Sequence, residues 1–282
     1  MSIRNIIMGR STADGAGVKL RRSIGATPQT RMDPFLMLDE FYSDHPDDYI
    51  AGFPSHPHRG FETITYMLEG RMRHEDHLGN SGLLETGGVQ WMTAGRGIIH
   101  SEMPEQDAGR MRGFQIWLNL PAADKMVPAN YTDIPAESFG LLELPTGGHI
   151  KVIAGQAKVN EQHANGAINP DGKKHTDPQV WDIHLVADET LTFTPPAHLQ
   201  GGFYLYEGSA HLGDSALPIR SVAILEQGHS LTLQAGEQGA RILYLAGKPL
   251  QEPIAQYGPF VMNTEEEIVQ AIQDYQAGRL TK

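Results

Sequence analysis

The sequence predicts an all-β protein that ends in one short helix. The chain of 282 residues contains 31 glycines and 18 prolines, which indicates many turns. Its apolar residues fall in short groups between these turns, and many groups alternate with polar residues at a period of two. That alternation is typical of strands buried on one face. Helical periodicity is scarce before the C-terminal segment.

Nine apolar groups have strand character. In chain order they are Val18–Leu20, Ile64–Leu68, Val89–Met92, Phe114–Leu120, Ile150–Ala154, Val180–Val186, Phe203–Tyr206, Val222–Leu225 and Ile242–Ala246. The one helix follows Thr264, which can form a capping box with Glu267, and Gly278 is its predicted end. Its apolar positions at helical spacing are Ile268, Ile272 and Tyr275. We expect this tail to act as a packing clamp.

Two strand-rich halves are separated by the stretch 120–148, which lacks alternation and contains four prolines. Residues 66–70 and 205–208 both end an apolar strand with Glu-Gly, which hints at a duplicated β-barrel. We therefore expect an N-terminal domain over residues 1–130 and a C-terminal domain over residues 131–282, the second ending in the helix.

Composition excludes several functional classes. The 22 basic and 34 acidic residues give a net charge of −12, which disfavours direct binding of nucleic acid. The absence of cysteine excludes disulfides, thiolate metal sites and a cysteine nucleophile. The first residues lack the apolar core of a signal peptide, and no apolar run is long enough to span a membrane. We expect a cytoplasmic protein without a membrane partner.

Two pairs of metal-ligating residues repeat one spacing. His56 and His58 point to one side of an extended segment, and His100 and Glu102 repeat this i, i+2 arrangement. Glu62 has the same parity as the first pair and offers an alternative carboxylate. Three imidazoles and one carboxylate suit Fe(II), Mn(II), Co(II), Ni(II), Cu(II) or Zn(II). On an octahedral ion they leave two positions open, whereas on tetrahedral zinc they would close the site.

The remaining histidines have simpler interpretations. Those of the C-terminal half lack a carboxylate at matching spacing, so we interpret each as a core or surface residue and expect no second metal. They include His184, His198, His211 and His229. His74 and His77 precede Gly79-Asn80, and we interpret them as the solvated end of a hairpin.

Three blocks of the sequence resemble the pirin family of the cupin superfamily. They are residues 56–70, beginning His-Pro-His-Arg-Gly-Phe-Glu; residues 90–103, containing Gly-Arg-Gly-Ile-Ile-His-Ser-Glu; and residues 258–264, Gly-Pro-Phe-Val-Met-Asn-Thr. The resemblance implies a bicupin, meaning two stacked antiparallel β-barrels, with one metal in the N-terminal barrel. By position its ligands would be His56, His58, His100 and Glu102, with Fe(II) as the preferred ion.

The resemblance also implies quercetin 2,3-dioxygenase activity, the oxygen-dependent cleavage of a flavonol with loss of carbon monoxide. The partners would then be a small aromatic substrate and O2, with Glu62 as proton acceptor. The aromatic residues near the ligand blocks that could flank a flat ring are Phe53, Trp91, Phe114 and Trp117. The alternative is a redox-responsive regulator that contains the metal and acts through a protein partner. The weakest hypothesis is that the metal only holds the barrel together, because structural metal sites favour cysteine ligands.

Overall fold

The computed structural model describes residues 3–282, which are mostly β-structure with one α-helix. The strands are β1 (Ile3–Met8), β2 (Arg10–Asp14), β3 (Val18–Arg22), β4 (Phe35–Ser43), β5 (Phe53–His58), β6 (Phe61–Glu69), β7 (Met72–Asp76), β8 (Ser81–Leu84), β9 (Val89–Thr93), β10 (Ile98–Pro104), β11 (Met111–Asn119), β12 (Asn130–Ile134), β13 (Gly140–Glu143), β14 (His149–Ala154), β15 (Gln156–Val159), β16 (Gln162–Asn165), β17 (Gln179–Leu185), β18 (Thr190–Phe193), β19 (Gln200–Leu212), β20 (Ser215–Ala216), β21 (Ser221–Leu225), β22 (Leu231–Gly247), β23 (Ala255–Tyr257) and β24 (Phe260–Met262). The helix α1 is Glu265–Gln276, and short 3-10 helices span Pro28–Thr30, Pro46–Asp48, Ala122–Asp124 and Ala136–Ser138. Each of the nine predicted groups coincides with a strand, so the all-β class is confirmed.

The chain forms two compact units that are not continuous in sequence. The N-terminal unit contains Ser11–Arg22, Phe35–Ala136 and Leu250–Lys282. The C-terminal unit contains Ser23–Pro34, Glu137–Pro249 and residues 3–10. The sequence predicted that residues 131–282 form one domain. The structure instead groups the tail with the N-terminal unit. Two buried cations of that unit, Arg59 and Lys125, bind the tail.

Two antiparallel sheets build the N-terminal unit. The larger has the strand order β12-β9-β6-β11-β4-β3-β2, and the smaller has the order β5-β10-β7-β8. One buried cluster draws apolar side chains from both sheets and from the connecting segments. Its members are Val18, Leu20, Phe41, Tyr49, Met67, Met72, Leu84 and Met111.

The C-terminal unit is built on a nine-stranded sheet. Its main path is β1-β21-β19-β22-β17-β14-β13, with β18 paired to β22 and β20 paired to β19. The two longest strands, β19 and β22, change register twice, after Leu205 and after Gly208. Gly208 has a φ of 73°, and a Cβ there would collide with the carbonyl oxygen of Gly239. Only glycine permits this close approach of the two strands.

The C-terminal helix begins as the sequence predicted. The Thr264 hydroxyl accepts a hydrogen bond from the Glu267 amide at 3.2 Å, and the Glu267 carboxylate accepts one from the Thr264 amide at 3.0 Å. The buried face of α1 packs in a cluster with the preceding strand and with Ile99 of β10. This arrangement agrees with the predicted clamp. No helix within residues 3–282 is long and apolar enough to cross a membrane.

Arg59 anchors the end of the tail to the N-terminal unit. Its guanidinium is buried and forms a 2.9 Å ion pair with Asp274 in α1. It also donates to the carbonyl oxygen of Leu280 at 3.1 Å and to that of Arg96. A buried guanidinium needs acceptors for its N–H groups, and the tail supplies two of them.

Lys125 anchors the start of the tail in the same way. Its buried ammonium donates to the carbonyl oxygens of Gly60 at 2.8 Å and Val261 at 3.0 Å. The third acceptor is the side-chain oxygen of Asn119 at 2.8 Å. All three protons of the ammonium therefore have acceptors. Gly60 and Asn119 precede the tail in the chain, and Val261 lies in β24 of the tail.

We predict that Lys125→Met lowers the free energy of unfolding by about 1–3 kcal/mol, because it leaves buried acceptors without a donor. Urea denaturation measures the change, and Lys158→Met, at an exposed position on β15, is the control. Equal stability of the two variants would show that Lys125 does not anchor the tail.

Candidate metal centre

Three histidines converge because β5 and β10 are antiparallel neighbours. His100 lies directly opposite His56 in the register of this pair, and His58 follows two residues later on the same face. Directly opposed side chains of an antiparallel pair point the same way. One ring nitrogen of each histidine lies within 4.8 Å of the others. The structure thus brings together the three histidines that the sequence singled out.

The ring nitrogens face one another at short range. His56 Nε2 and His58 Nε2 are 3.0 Å apart, and the ring centroids of His56 and His100 are 4.4 Å apart. His56 Nδ1 lies 2.8 Å from the carbonyl oxygen of Pro54, to which it donates its proton. The lone pair of His56 is then on Nε2. Two imidazole lone pairs at this distance repel each other unless a proton or a cation lies between them.

Burial keeps two of the three rings uncharged. Burial, followed by the neighbouring histidines, lowers the pKa of both His58 and His100 well below 6.5. At neutral pH these rings are therefore neutral, the state that binds a metal ion. His100 Nε2 is buried without a hydrogen-bond partner. A buried acceptor of this kind, close to two other imidazoles, fits a borderline divalent cation.

Glu102 shares the inner face of β10 but lies outside the three-histidine cluster. The register to β5 shifts between His100 and Glu102, which places Glu102 opposite Phe53. Its carboxylate is buried and accepts a hydrogen bond from the Thr65 hydroxyl at 2.9 Å. Thr65 belongs to β6 of the larger sheet. Its contact with Glu102 identifies the face of β6 that looks toward the histidines.

Glu62 does not share that face, which corrects the predicted role as proton acceptor. Successive side chains of β6 alternate, so Glu62 points away from the face that carries Thr65. Its carboxylate accepts a hydrogen bond from Thr93 at 2.7 Å on the far side. The prediction assumed one extended segment from His58 to Glu62. The chain instead turns at Gly60, where φ is 93°, and passes from one sheet to the other.

One of the four predicted pocket aromatics contacts the histidines. The ring centroid of Trp117 lies 5.4 Å from that of His58 and 4.3 Å from that of Phe61. Trp91 and Phe114 are paired with Ile64 and Tyr66, and so they occupy the same face of the sheet as Glu62. Phe53 is half-buried against the cluster that contains Phe41.

The structure adds His74, which the sequence analysis had assigned to a solvated hairpin end. His74 is fully buried on β7, and its ring stacks on Tyr131 with centroids 4.1 Å apart. His74 Nδ1 lies 3.4 Å from His100 Nδ1, and His74 Nε2 lies 3.5 Å from Asp76 Oδ2. The i, i+2 spacing of His74 and Asp76 was a usable signal. Only the pairing of β7 with β10 shows that this pair stands behind His100.

In the C-terminal unit, His184 lies opposite His149, with ring centroids 4.5 Å apart. His184 Nε2 is 3.3 Å from the buried carboxylate of Asp182, which also accepts a 2.6 Å hydrogen bond from Tyr206. These bonds satisfy Asp182 inside the unit, which supports a structural role for His184.

Comparison with known proteins relates both halves of the chain to one family. The family model "Pirin" matches residues 17–118, and the model "Pirin C-terminal cupin domain" matches residues 180–281. A Pseudomonas aeruginosa protein named "Putative quercetin 2,3-dioxygenase" is 54% identical over 276 residues, covering 96% of this chain and 95% of that protein.

Solved structures show the same architecture. A quercetin 2,3-dioxygenase from Acinetobacter baumannii superposes with a TM-score of 0.87 at 34% identity, covering 99% of this chain and 98% of that one. A bacterial pirin from Escherichia coli in complex with nickel(II) shares the fold, with a TM-score of 0.64 at 18% identity over 87% of this chain and 98% of that one. These matches confirm two cupin domains followed by a C-terminal helix. The chain belongs to the pirin family.

Proposed function

We propose that this protein is a metal-dependent dioxygenase that cleaves a flavonol with O2, as a quercetin 2,3-dioxygenase does. The observation that carries the proposal is the convergence of three histidines, two of them buried and neutral, beside the aromatic ring of Trp117. The names of the Pseudomonas and Acinetobacter relatives support the same reaction.

The proposed ligands are His56, His58, His100 and Glu102. The three imidazoles offer nitrogens within 4.8 Å of one another, and Glu102 is the carboxylate on the same face of β10. We assign one divalent transition metal per chain and prefer Fe(II), with Mn, Co, Ni, Cu and Zn as alternatives. When bound, a redox-active ion would supply positive charge for a substrate oxyanion and a path for electrons to O2.

The chain's own residues would hold and orient the substrate. Trp117 is half-buried beside His58, with the fully buried ring of Phe61 behind it, and its aromatic surface suits the flat ring of a flavonol. Beside these rings, the Thr65 hydroxyl lies 2.7 Å from the amide oxygen of Gln115, which is half-buried. We assign this polar pair to the hydroxyl groups of the substrate.

Metal content tests the ligand set. We predict that Glu102→Gln lowers metal affinity, whereas Glu62→Gln retains a stoichiometric metal. The two carboxylates are matched controls, because both are buried and each accepts a hydrogen bond from a threonine. His56→Ala with His58→Ala should leave no metal after purification, since two ligands are lost.

Elemental analysis of the purified proteins measures these outcomes. The control for the double histidine variant is His163→Ala with His229→Ala, which changes two exposed histidines. A stoichiometric metal in the His56/His58 variant would place the site elsewhere.

Oxygen uptake tests the reaction. We predict turnover of a flavonol by the Fe(II) form or another redox-active form, and none by the zinc form, because zinc does not pass electrons to O2. Trp117→Ala should raise KM by about 3–10-fold through loss of an aromatic contact. Tyr257→Ala, which removes a ring that is 68% exposed, is the control.

Two results would contradict the dioxygenase proposal. One is equal activity of the zinc form, and the other is no turnover in any metal form across a broad flavonol panel. The second result, with metal binding intact, would favour the redox-responsive regulator that acts through a protein partner.

The buried histidines also predict a pH dependence of stability for the metal-free protein. His58 and His100 have lowered pKa values in the folded state and about 6.5 when unfolded. Below pH 6.5 the unfolded chain therefore binds more protons, and the free energy of unfolding falls as pH falls. The expected slope is about 1.4 kcal/mol per pH unit for each histidine. Urea denaturation between about pH 5 and 7.5, on both sides of the unfolded-state pKa, measures this slope. An unchanged slope in the double variant His58→Gln with His100→Gln would show that these two histidines do not cause the pH dependence.

A further inference from the structure

We propose that His74 and Asp76 are positioning residues that fix the tautomer of His100 and aim its Nε2 lone pair at the metal. This inference rests on the proposed metal centre and extends it to residues that are not ligands. It concerns one chain of contacts, from Asp76 through His74 to His100, which we call the relay.

The register of the smaller sheet aligns the relay. In the pairing of β10 with β7, His100 lies opposite Asp76 and Glu102 lies opposite His74. All four side chains therefore point to one face. The side chains of His74 and Asp76 are both fully buried, so water does not compete for their polar atoms.

Asp76 determines the direction of the hydrogen bonds. Its Oδ1 accepts from the amides of Leu78 at 2.9 Å and Asn80 at 3.1 Å, and its Oδ2 accepts from the Asn80 side chain at 2.8 Å. Burial opposes ionisation, but these donors together with His74 lower the pKa of Asp76. At neutral pH its carboxylate is ionised and can only accept.

The remaining protons follow from this anchor. Because Asp76 Oδ2 accepts, the neutral ring of His74 carries its proton on Nε2, and its Nδ1 is left as an acceptor. His100 must then donate from Nδ1 across the 3.4 Å contact. The lone pair of His100 lies on Nε2, the buried atom that has no hydrogen-bond partner. A single anchored carboxylate thus leaves one tautomer for both rings.

Packing holds the middle of the relay in place. The ring of His74 stacks on Tyr131 at an interplanar angle of 14°, and the Tyr131 hydroxyl donates to Asp133. Carboxylates behind a ligating imidazole fix its orientation and raise its basicity, and losing such a partner typically costs 10–100-fold in metal affinity. Here a second imidazole transmits the effect of the carboxylate.

The tautomers can be read without any metal. Long-range ¹H–¹⁵N NMR of the metal-free protein at neutral pH should show His100 protonated on Nδ1 and His74 protonated on Nε2. Assignments come from the single variants. A His100 ring protonated on Nε2 would overturn the relay, whether or not the protein proves to be an enzyme.

Metal affinity is the second readout. Titrating the metal-free protein with Co(II), we expect His74→Phe to weaken binding by about 10–100-fold and to change the visible ligand-field spectrum. His74→Asn keeps an acceptor near the position of Nδ1, so it should restore part of the affinity. Glu75→Gln changes the neighbouring exposed residue of β7 and is the matched control.

The outcomes separate this inference from the proposed function. Unchanged affinity and an unchanged Co(II) spectrum in both His74 variants would refute the relay and leave the metal centre intact. Failure of the wild type to bind Co(II) would refute the metal centre, while the NMR tautomers would still test the relay. If His74→Phe does not fold, the spectrum and affinity of His74→Asn decide.

Discussion

The register among β5, β10 and β7 is the constraint on which the candidate site depends. It places His56 and Asp76 on either side of His100, and so it sets both the three-histidine cluster and the proposed support behind it. Because side chains alternate at every residue, a slip of one position would turn these groups to the opposite face. The pairing of neighbouring strands, and not a single loop motif, therefore sets the relative positions of the residues at this site.

Burial gives the cluster its chemistry. Neutral imidazoles are costly to protonate in this environment, so they remain available as ligands at neutral pH. The tail contributes to the same region, because Arg59, the residue after His58, is held by Asp274 and by the carbonyl oxygen of Leu280. Lys125 binds the carbonyl oxygen of Gly60 at the turn and that of Val261 in β24. The C-terminal segment thus stabilises the end of β5.

The two units share a strand pattern but differ in what their interiors contain. In the N-terminal unit the face toward the histidines carries polar side chains such as Thr65 and Gln115. In the C-terminal unit the corresponding interior is filled by packed aromatic rings, including Trp181, Phe203 and Tyr244. A filled apolar core stabilises the C-terminal unit.

The sequence by itself determined the strand class, the capped helix and the i, i+2 spacing of His56/His58 and of His100/Glu102, because period-two alternation and helix caps are local properties. The family resemblance then selected Glu102 over Glu62 as the predicted carboxylate ligand. Only the tertiary structure decided that Glu62 faces away, that His74 supports His100, and that the tail belongs to the N-terminal unit. The turn at Gly60 breaks the parity that spacing assumes, and strand pairing is non-local. Neither can be read from residues near each other in the chain.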